Sequence, residues 1–132
     1  MRTFLLISLL ILPQQAPKNN PNGIWRAESG SEFEFTLVGN DIKALIVPGS
    51  SPRFVEYQMD LKGTDEPNTY QGTGHFKAKF DNGRECEFDT QWQIVIVSDN
   101  TIIGVASEIV PDPDTCEIVQ TNEVGVQMVR KQ

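Results

Sequence analysis

Residues 70–96, YQGTGHFKAKFDNGRECEFDTQWQIVI, hold two runs of alternating apolar and polar side chains on either side of a tight-turn signal. In the first run, which ends at Phe80, every second side chain is apolar or small, and the second run repeats the pattern from Cys86 onward. A period of two is typical of a strand with one buried face. Asn82 and Gly83, between the runs, tolerate the positive φ angles of a hairpin turn. The stretch therefore predicts an antiparallel β-hairpin.

The same pattern covers the chain on both sides of this hairpin. Turn-forming clusters divide it into eight short segments, and in the fourth the apolar face is formed by Val55, Tyr57, Met59 and Leu61. No segment has a helical period and every connection is short, so consecutive strands are expected to be antiparallel neighbours. We predict an all-β fold, a single eight-stranded antiparallel meander β-barrel over residues 23–132, with an open two-sheet β-sandwich as the alternative.

Two details of these segments bear on the shape of the barrel. Gly72 and Gly74 lie on the inward face of the fifth segment, where glycine predicts a sharp bend or a close approach by a bulky neighbour. The last segment is expected to run from Thr115 toward Lys131, with residues 121–123 as a point of interruption.

The chain begins with a segment that differs from the rest. A positive charge at Arg2, a nine-residue apolar run and a small residue at Ala16 are typical of a secretory signal peptide, here residues 1–16. The run is shorter than the roughly 20 apolar residues that span a bilayer, so no stable membrane insertion is expected after processing. Residues 17–22, with two prolines and three asparagines, predict a disordered lead-in. We expect a secreted or periplasmic protein whose remaining residues form one domain.

The charge balance is acidic. The 132 residues carry 18 acidic and 11 basic side chains, a net charge of −7, and removal of the leader would take away Arg2 as well. Nucleic acids and anionic membrane surfaces attract basic side chains, so neither is an expected partner. An acidic exterior would attract a basic partner, and it also keeps an exported protein in solution.

Cys86 and Cys116 are the two cysteines, and an even count in an exported chain favours one disulfide between them. In a meander they open the sixth and eighth strands at the same end of the barrel. Two strand spacings, roughly 10 Å, then separate them, which exceeds the ~7 Å limit between bonded Cα atoms. The bond therefore requires residues 111–115 to lean across the seventh strand. The alternative is a pair of reactive thiols, for which the chain offers neither a Cys-x-x-Cys spacing nor a nearby histidine.

The two ends of the chain carry a family resemblance. Gly23, Ile24 and Trp25 on the first strand resemble the Gly-x-Trp that opens many calycins, the group of lipocalins, avidin-like proteins and some small secreted inhibitors. In that group the Trp plugs one end of the barrel and an Arg or Lys of the last strand packs on it, a position that Arg130 or Lys131 takes here. The resemblance implies a β-barrel in which Gly23, Trp25 and Arg130 are structural. It supplies no ligand, because the middle lipocalin signature and the several tryptophans of a biotin site are missing.

Most inward positions of the predicted strands carry bulky apolar side chains. Eight strands enclose an interior barely wider than its own residues, so these side chains are expected either to fill it as a packed core or to line a pocket. In the second case they would hold one small apolar or aromatic molecule, oriented by the Tyr hydroxyls. The candidate ligand-binding residues are Phe33, Phe35, Tyr57, Tyr70, Phe76, Phe88 and Trp92.

Catalytic and metal-binding patterns are weak throughout the sequence. His75, the single histidine, alternates to the outer face, so a catalytic triad would have to act across the barrel wall. Asp112 and Asp114 offer two carboxylates, but the pattern lacks the further oxygens in ordered spacing that calcium requires. We expect no catalytic residue, no bound metal and no cofactor, and hence no enzyme.

The loops suggest a second class of function. Those at residues 48–52, 63–68 and 111–115 together combine proline with acidic side chains. Stiff loops lose little entropy on binding, and complementary charge speeds association. The alternative function is therefore inhibition of a basic extracellular hydrolase, lysozyme or a protease, through the acidic loop residues Asp65, Glu66, Asp112 and Asp114. A structural envelope protein without a discrete site is the third hypothesis.

Overall fold

The computed structural model describes residues 18–132, in which every regular element is a β-strand. Each strand pairs antiparallel with the next, and β8 returns to pair with β1, so the sheet is a closed barrel. The predicted eight-stranded meander barrel is confirmed, and closure excludes the open sandwich. The predicted signal peptide, residues 1–16, lies outside the described residues. The strands are β1 (Gly23–Ala27), β2 (Glu32–Val38), β3 (Asp41–Ile46), β4 (Phe54–Gly63), β5 (Thr69–Lys79), β6 (Glu85–Ser98), β7 (Thr101–Pro111) and β8 (Ile118–Arg130).

The hairpin of β5 and β6 forms the longest ladder of strand pairs without a register shift. Its pairs run without a shift from Thr69 opposite Val95 to Lys79 opposite Glu85, and Gly83 in its turn has a φ of 86°. Every second residue of β6 from Cys86 to Ile96 is buried, as period-two alternation requires. A search of residues 18–132 finds no helix with the length and apolarity needed to cross a membrane.

The prediction for β4 is wrong at the start of the strand. A register shift, or β-bulge, lies between Phe54 and Glu56 in the ladder with β5. A bulge inserts one extra residue into a strand and so reverses the alternation beyond it. Phe54 therefore packs against the core, whereas Val55 is exposed. The rest of the inward set on β4, from Tyr57 to Leu61, is buried as predicted.

Connections alternate between the two ends of the barrel because the strands form a meander. The β1–β2, β3–β4, β5–β6 and β7–β8 turns lie at one end, which we call the mouth end. The other three turns and both termini of the described chain lie at the opposite end, which we call the plugged end.

Trp25 closes the plugged end. Its side chain is completely buried, its Nε1 donates a 2.9 Å hydrogen bond to the carbonyl oxygen of Pro21, and the Arg130 guanidinium carbon lies 4.3 Å from its ring centroid. Arg130 also donates to the backbone carbonyl oxygens of Asn20, Asn22 and Asp99. The described residues of the lead-in, 18–22, therefore contribute to the plug, because their carbonyl groups accept hydrogen bonds from Trp25 and Arg130.

Cys86 and Cys116 form the predicted disulfide, with their Cα atoms 5.5 Å apart. The β7–β8 turn leans toward the β5–β6 turn, where Asn82 Nδ2 donates to the carbonyl oxygen of Pro113 and to Oδ1 of Asp114. This lean brings the two cysteines within bonding distance. Cys86 is buried, and a buried disulfide is compatible with an oxidising, exported environment.

β7 and β8 extend past their neighbours toward the mouth end. β7 pairs with β6 only as far as Ala106, and β8 pairs with β1 only from Ala27 opposite Met128 onward. Between these points and their turn the two strands pair only with each other, and we call residues 107–127 the ribbon. The disulfide ties the ribbon to β6. β8 is continuous through residues 121–123, so the expected interruption is absent.

Candidate functional site

A cavity of about 320 Å³ opens at the mouth end of the barrel. Ser29, Arg53, Phe80 and Pro111, one from each mouth-end connection or its flanking strand end, contribute to the lining, which locates the opening. The plugged half of the barrel is filled by side chains around Trp25. The interior is therefore neither entirely packed nor entirely hollow, because the two halves differ.

Aromatic rings in mutual contact form one wall of the cavity. Tyr57 and Phe76 are stacked, with centroids 5.0 Å apart and planes 21° apart. Phe54 meets both rings edge to face, at 5.0 Å and 5.1 Å. Phe88 continues the row at 5.6 Å from Phe76. Each such pair contributes about 0.5–1.5 kcal/mol beyond area burial, and interlocked rings have few alternative rotamers, so the wall is rigid.

Three polar side chains meet on the inner surface of the cavity. Trp92 Nε1 donates to both Tyr57 Oη and Thr90 Oγ1, at 3.1 Å and 3.0 Å. Thr90 Oγ1 donates to the carbonyl oxygen of Gly74 at 3.3 Å, and Tyr57 Oη lies 3.2 Å from Thr90 Oγ1. Since the Thr90 proton goes to Gly74, the Tyr57 hydroxyl donates to Thr90. We call Tyr57, Thr90 and Trp92 the polar triad.

The proton count of the polar triad decides what it can offer a ligand. All three of its protons are used in internal hydrogen bonds, whereas the Tyr57 oxygen accepts only the shared Trp92 bond and keeps acceptor capacity. Burial raises the pKa of the Tyr57 hydroxyl, against the opposing effect of its hydrogen bonds to Thr90 and Trp92. The hydroxyl is therefore neutral over the physiological range, and the triad presents a hydrogen-bond acceptor within an apolar wall.

Gly74 makes room for the polar triad. A Cβ atom at Gly74 would lie 2.8 Å from Thr90 Oγ1, 2.8 Å from Trp92 Nε1 and 2.9 Å from a ring carbon of Tyr57. Gly72 is crowded in another way, since a Cβ there would collide with the backbone of Asp60 and Leu61 on β4. Both glycines thus mark the close approaches that the sequence predicts.

Charged side chains lie only at the rim of the cavity. Glu28, Arg53 and Glu108 are its charged lining residues, and all three are exposed. The guanidinium carbon of Arg53 lies 6.0 Å from the centroid of the Phe80 ring. The interior surface is therefore neutral, and the cavity favours a molecule whose buried part carries no charge.

The predicted ligand-binding residues divide between the two halves of the barrel. Phe33, Tyr57, Phe76, Phe88 and Trp92 line the cavity. The other two do not. Phe35 packs against the plug, with its ring centroid 6.1 Å from that of Trp25, and Tyr70 is buried elsewhere in the core, where desolvation raises its pKa.

Several residues that line the cavity are not among the predicted ligand-binding residues. Phe54 was hidden by the bulge on β4, which no alternation pattern reveals. Thr90 and Phe80 do lie on the predicted inward faces, so the signal for them was present, but neither was selected. The ribbon contributes Ile109 and Val126 to the lining, because it folds over the mouth end under the disulfide.

The acidic loop residues proposed as an inhibitor surface lie far apart in the topology. Asp65 and Glu66 are in the β4–β5 turn at the plugged end, whereas Asp112 and Asp114 are in the β7–β8 turn at the mouth end. Asp112 Oδ1 also accepts a 2.8 Å hydrogen bond from the Asp114 backbone amide, which stabilises the turn itself. The four carboxylates thus do not form one surface, and each pair faces solvent separately.

Groups suited to catalysis do not converge on the cavity. His75 lies on the outer wall, where Nδ1 is 2.7 Å from Asp89 Oδ1 and both side chains are more than half exposed. Within residues 18–132, no group of three His, Cys, Asp or Glu side chains is arranged to hold a metal ion. Every buried side-chain nitrogen or oxygen of the described residues has a hydrogen-bond partner.

The structure contains one contact that the resemblance to calycins predicts, between Trp25 and Arg130. Arg130 packs on Trp25, and a Cβ at Gly23, whose φ is 130°, would lie 2.7 Å from Arg130 Nη1, so this position favours glycine. These residues plug the barrel and do not touch the cavity. Proteins that share one fold can have many different functions, so this contact does not indicate the function of the protein. The sequence matches no protein-family model, and no curated protein is similar to it.

Proposed function

We propose that this protein is exported and binds one small apolar or aromatic molecule in the mouth-end cavity, without chemical turnover. The cavity is the observation that supports the proposal, because side chains that formed only a packed core would occupy this space. Its volume of about 320 Å³ falls at the lower end of the roughly 300–1,000 Å³ that ligand pockets occupy. The molecule is therefore small, in the size range of one or two rings.

The distribution of residual exposure supports this proposal. In the plugged half most inward side chains are sealed, as for Met59 at 0% and Ile94 at 1% exposed, and Tyr70 next to the β4–β5 turn keeps 6%. Tyr57 and Trp92, which face the cavity, keep 7% and 8% of their surface exposed although they lie on inward positions. Apolar surface left uncovered inside a barrel is available to an apolar ligand.

The chemistry of the lining indicates which molecules fit. A ligand that buries roughly 200 Å² of apolar surface gains about 5 kcal/mol at about 25 cal/mol per Å². If all of this gain appeared as binding free energy, the dissociation constant would be about 0.2 mM, and the cost of association makes binding weaker than that. A hydroxyl or N–H donor directed at Tyr57 Oη would add about 1 kcal/mol. We therefore expect neutral aromatic molecules that carry one donor group to bind best.

The test uses 1-naphthylamine, a neutral aromatic amine with two fused rings, as the probe. We expect it to quench the emission of Trp92 in the mature protein, with a dissociation constant in the submillimolar to millimolar range. Ala106→Met places extra side-chain volume into the cavity, so the probe should bind at least about tenfold more weakly. Val105→Met is the matched control, because the neighbouring Val105 points outward and is 37% exposed.

Two outcomes would contradict the proposal. One is the absence of any quenching in the unmodified protein up to the solubility limit of the probe. The other is equal affinity in Ala106→Met and the unmodified protein, which would locate the probe outside the cavity. Native mass spectrometry of protein taken from its source would identify a retained molecule directly.

A further inference from the structure

One edge of β8 has no strand beside it. β8 pairs with β7 over its whole length, but its pairs with β1 begin only at Met128, because β1 ends at Ala27. The side of β8 that faces away from β7 is therefore an open sheet edge within the ribbon. Among residues 18–132, no backbone or side-chain group outside β7 hydrogen-bonds to the backbone of residues 119–126.

The hydrogen bonds at the plugged end of β8 show which groups point to the open edge. Lys131 N–H donates to the carbonyl oxygen of Ile24 on β1, whereas Arg130 N–H donates to the carbonyl oxygen of Asn100, toward β7. Backbone groups alternate along a strand, so odd-numbered residues face the β1 side. The unused donors and acceptors are therefore those of the odd-numbered residues Thr121, Glu123 and Gly125.

This edge lacks the features that usually prevent strand addition. Natural sheets protect their edges with lysine, proline or a covering loop, and residues 118–129 contain no lysine, arginine or proline. Thr121, Glu123 and Gly125 are all exposed, and the space around a Cβ built on Gly125 is empty to 4 Å. The edge is thus long, accessible and uncharged apart from Glu123.

The charge of the ribbon indicates what kind of strand fits beside it. Residues 107–127 carry five acidic side chains and no basic one. A second copy of this chain would bring the same five charges against them, and the whole protein is already acidic, so self-association along this edge is disfavoured. A basic strand would instead be attracted.

We propose that the edge at Thr121, Glu123 and Gly125 takes up an extended, basic segment of a partner polypeptide as an added antiparallel strand. The added strand continues the line of β1 along β8. Its side chains alternate between the mouth of the cavity, next to Val124 and Val126, and the outer face, next to Glu123. Apolar residues suit the first set of positions and Lys or Arg the second. The proposal rests on the edge alone and does not require a ligand in the cavity.

The experiment uses the mature protein and a synthetic peptide of about ten residues in which valine and lysine alternate. We expect the peptide to shift the backbone amide resonances of residues 119–126 and to slow hydrogen exchange at Thr121, Glu123 and Gly125. A peptide that alternates valine and glutamate is the charge control and should not bind. Because the attraction is between charges, binding should weaken as salt is added.

Two pairs of variants separate the backbone contribution from the charge contribution. Thr121→Pro removes an N–H that faces the open edge and leaves the ladder with β7 intact, so binding should fall at least about tenfold, whereas Thr121→Val keeps the N–H and should bind normally. Glu123→Lys should weaken binding several-fold, and Glu34→Lys makes the same charge change on β2, away from the edge, without that effect.

Several results would overturn the proposal. They are equal binding of the two peptides, normal binding to Thr121→Pro, or unchanged hydrogen exchange at the three edge residues in the unmodified protein. The exchange measurement stands even where a variant fails to fold. A dimer in sedimentation that disappears in Thr121→Pro, with no peptide binding, would assign the edge to a second copy of the chain.

Discussion

Replacing Gly74 by alanine tests the cavity and the core packing together. The added methyl group would lie 2.8–2.9 Å from Thr90 Oγ1, Trp92 Nε1 and a Tyr57 ring carbon, all well inside van der Waals contact. None of the three can move freely, because the polar triad is held by its own hydrogen bonds and Tyr57 is stacked on Phe76. We expect the triad to separate, with loss of at least one of these hydrogen bonds.

The size of the effect follows from three terms. Overpacking a dense core costs about 1–3 kcal/mol. Loss of one buried hydrogen bond adds about 1 kcal/mol. Alanine recovers about 0.5 kcal/mol or more relative to glycine in a strand, because the unfolded chain loses freedom. The free energy of unfolding should therefore fall by about 2 kcal/mol in Gly74→Ala.

Urea unfolding followed by tryptophan emission measures this change. With a denaturant slope of about 1–3 kcal/mol per M, the midpoint should fall by roughly 1 M. Gly125→Ala is the matched control, since a Cβ there meets nothing within 4 Å, and it should be neutral or slightly stabilising. If Gly74→Ala unfolds at the same urea concentration as Gly125→Ala and leaves the Trp92 indole N–H resonance in place, the account of the polar triad is refuted.

Three further predictions concern the rest of the barrel. Arg130→Met removes a cation–π contact and three hydrogen bonds to carbonyl groups, so it should lower the free energy of unfolding, measured by urea titration, by about 2–4 kcal/mol. The control is Arg84→Met in an exposed turn, which should change this free energy by less than about 0.5 kcal/mol. Hydrogen bonds from Arg26 and Lys131 lower the pKa of Glu32 below its usual value of 4.5, so the stability they supply is complete above about that pH and is lost as pH falls through the lowered folded value. Glu32→Gln should be less stable than the unmodified protein near neutral pH, and a difference that does not shrink in acid would contradict this. Cys116→Ser removes the disulfide, whose two cysteines are separated by 30 in sequence, and should lower the free energy of unfolding by about 3–4 kcal/mol. The urea midpoint should fall accordingly. A reducing agent should lower the midpoint of the unmodified protein in the same way and leave that of Cys116→Ser unchanged.

The strand pattern of this protein was predictable from local sequence. Alternation with a period of two is repeated in every segment, and Asn82-Gly83 specifies its turn without help from distant residues. The Trp25–Arg130 contact was expected from the resemblance to calycins, in which an Arg or Lys of the last strand packs on the Trp. The same local logic failed at Phe54, because a β-bulge depends on the fit between two strands and not on the composition of one.

The candidate site could be predicted only in part. Five of the seven inward aromatic residues line the cavity, whereas Phe35 and Tyr70 lie on equally inward positions without facing it. Alternation assigns a side chain to the inside of a barrel but does not say at which height along the axis the interior stays empty. That height depends on the sum of all side-chain volumes and on where Trp25 seals the far end, and both are set by packing across strands that are distant in sequence.

By itself, the sequence determined the number of strands, their order and, apart from the start of β4, the face that each presents to the core, because these follow from local alternation and short turns. Tertiary structure alone decided that one half of the interior is sealed and the other open, that the ribbon leans over the mouth under the Cys86–Cys116 bond, and that β8 keeps a free edge where β1 ends at Ala27. The physical reason is that strand lengths, register shifts and cavity volumes arise from pairing between segments, whereas each segment encodes only its own two faces.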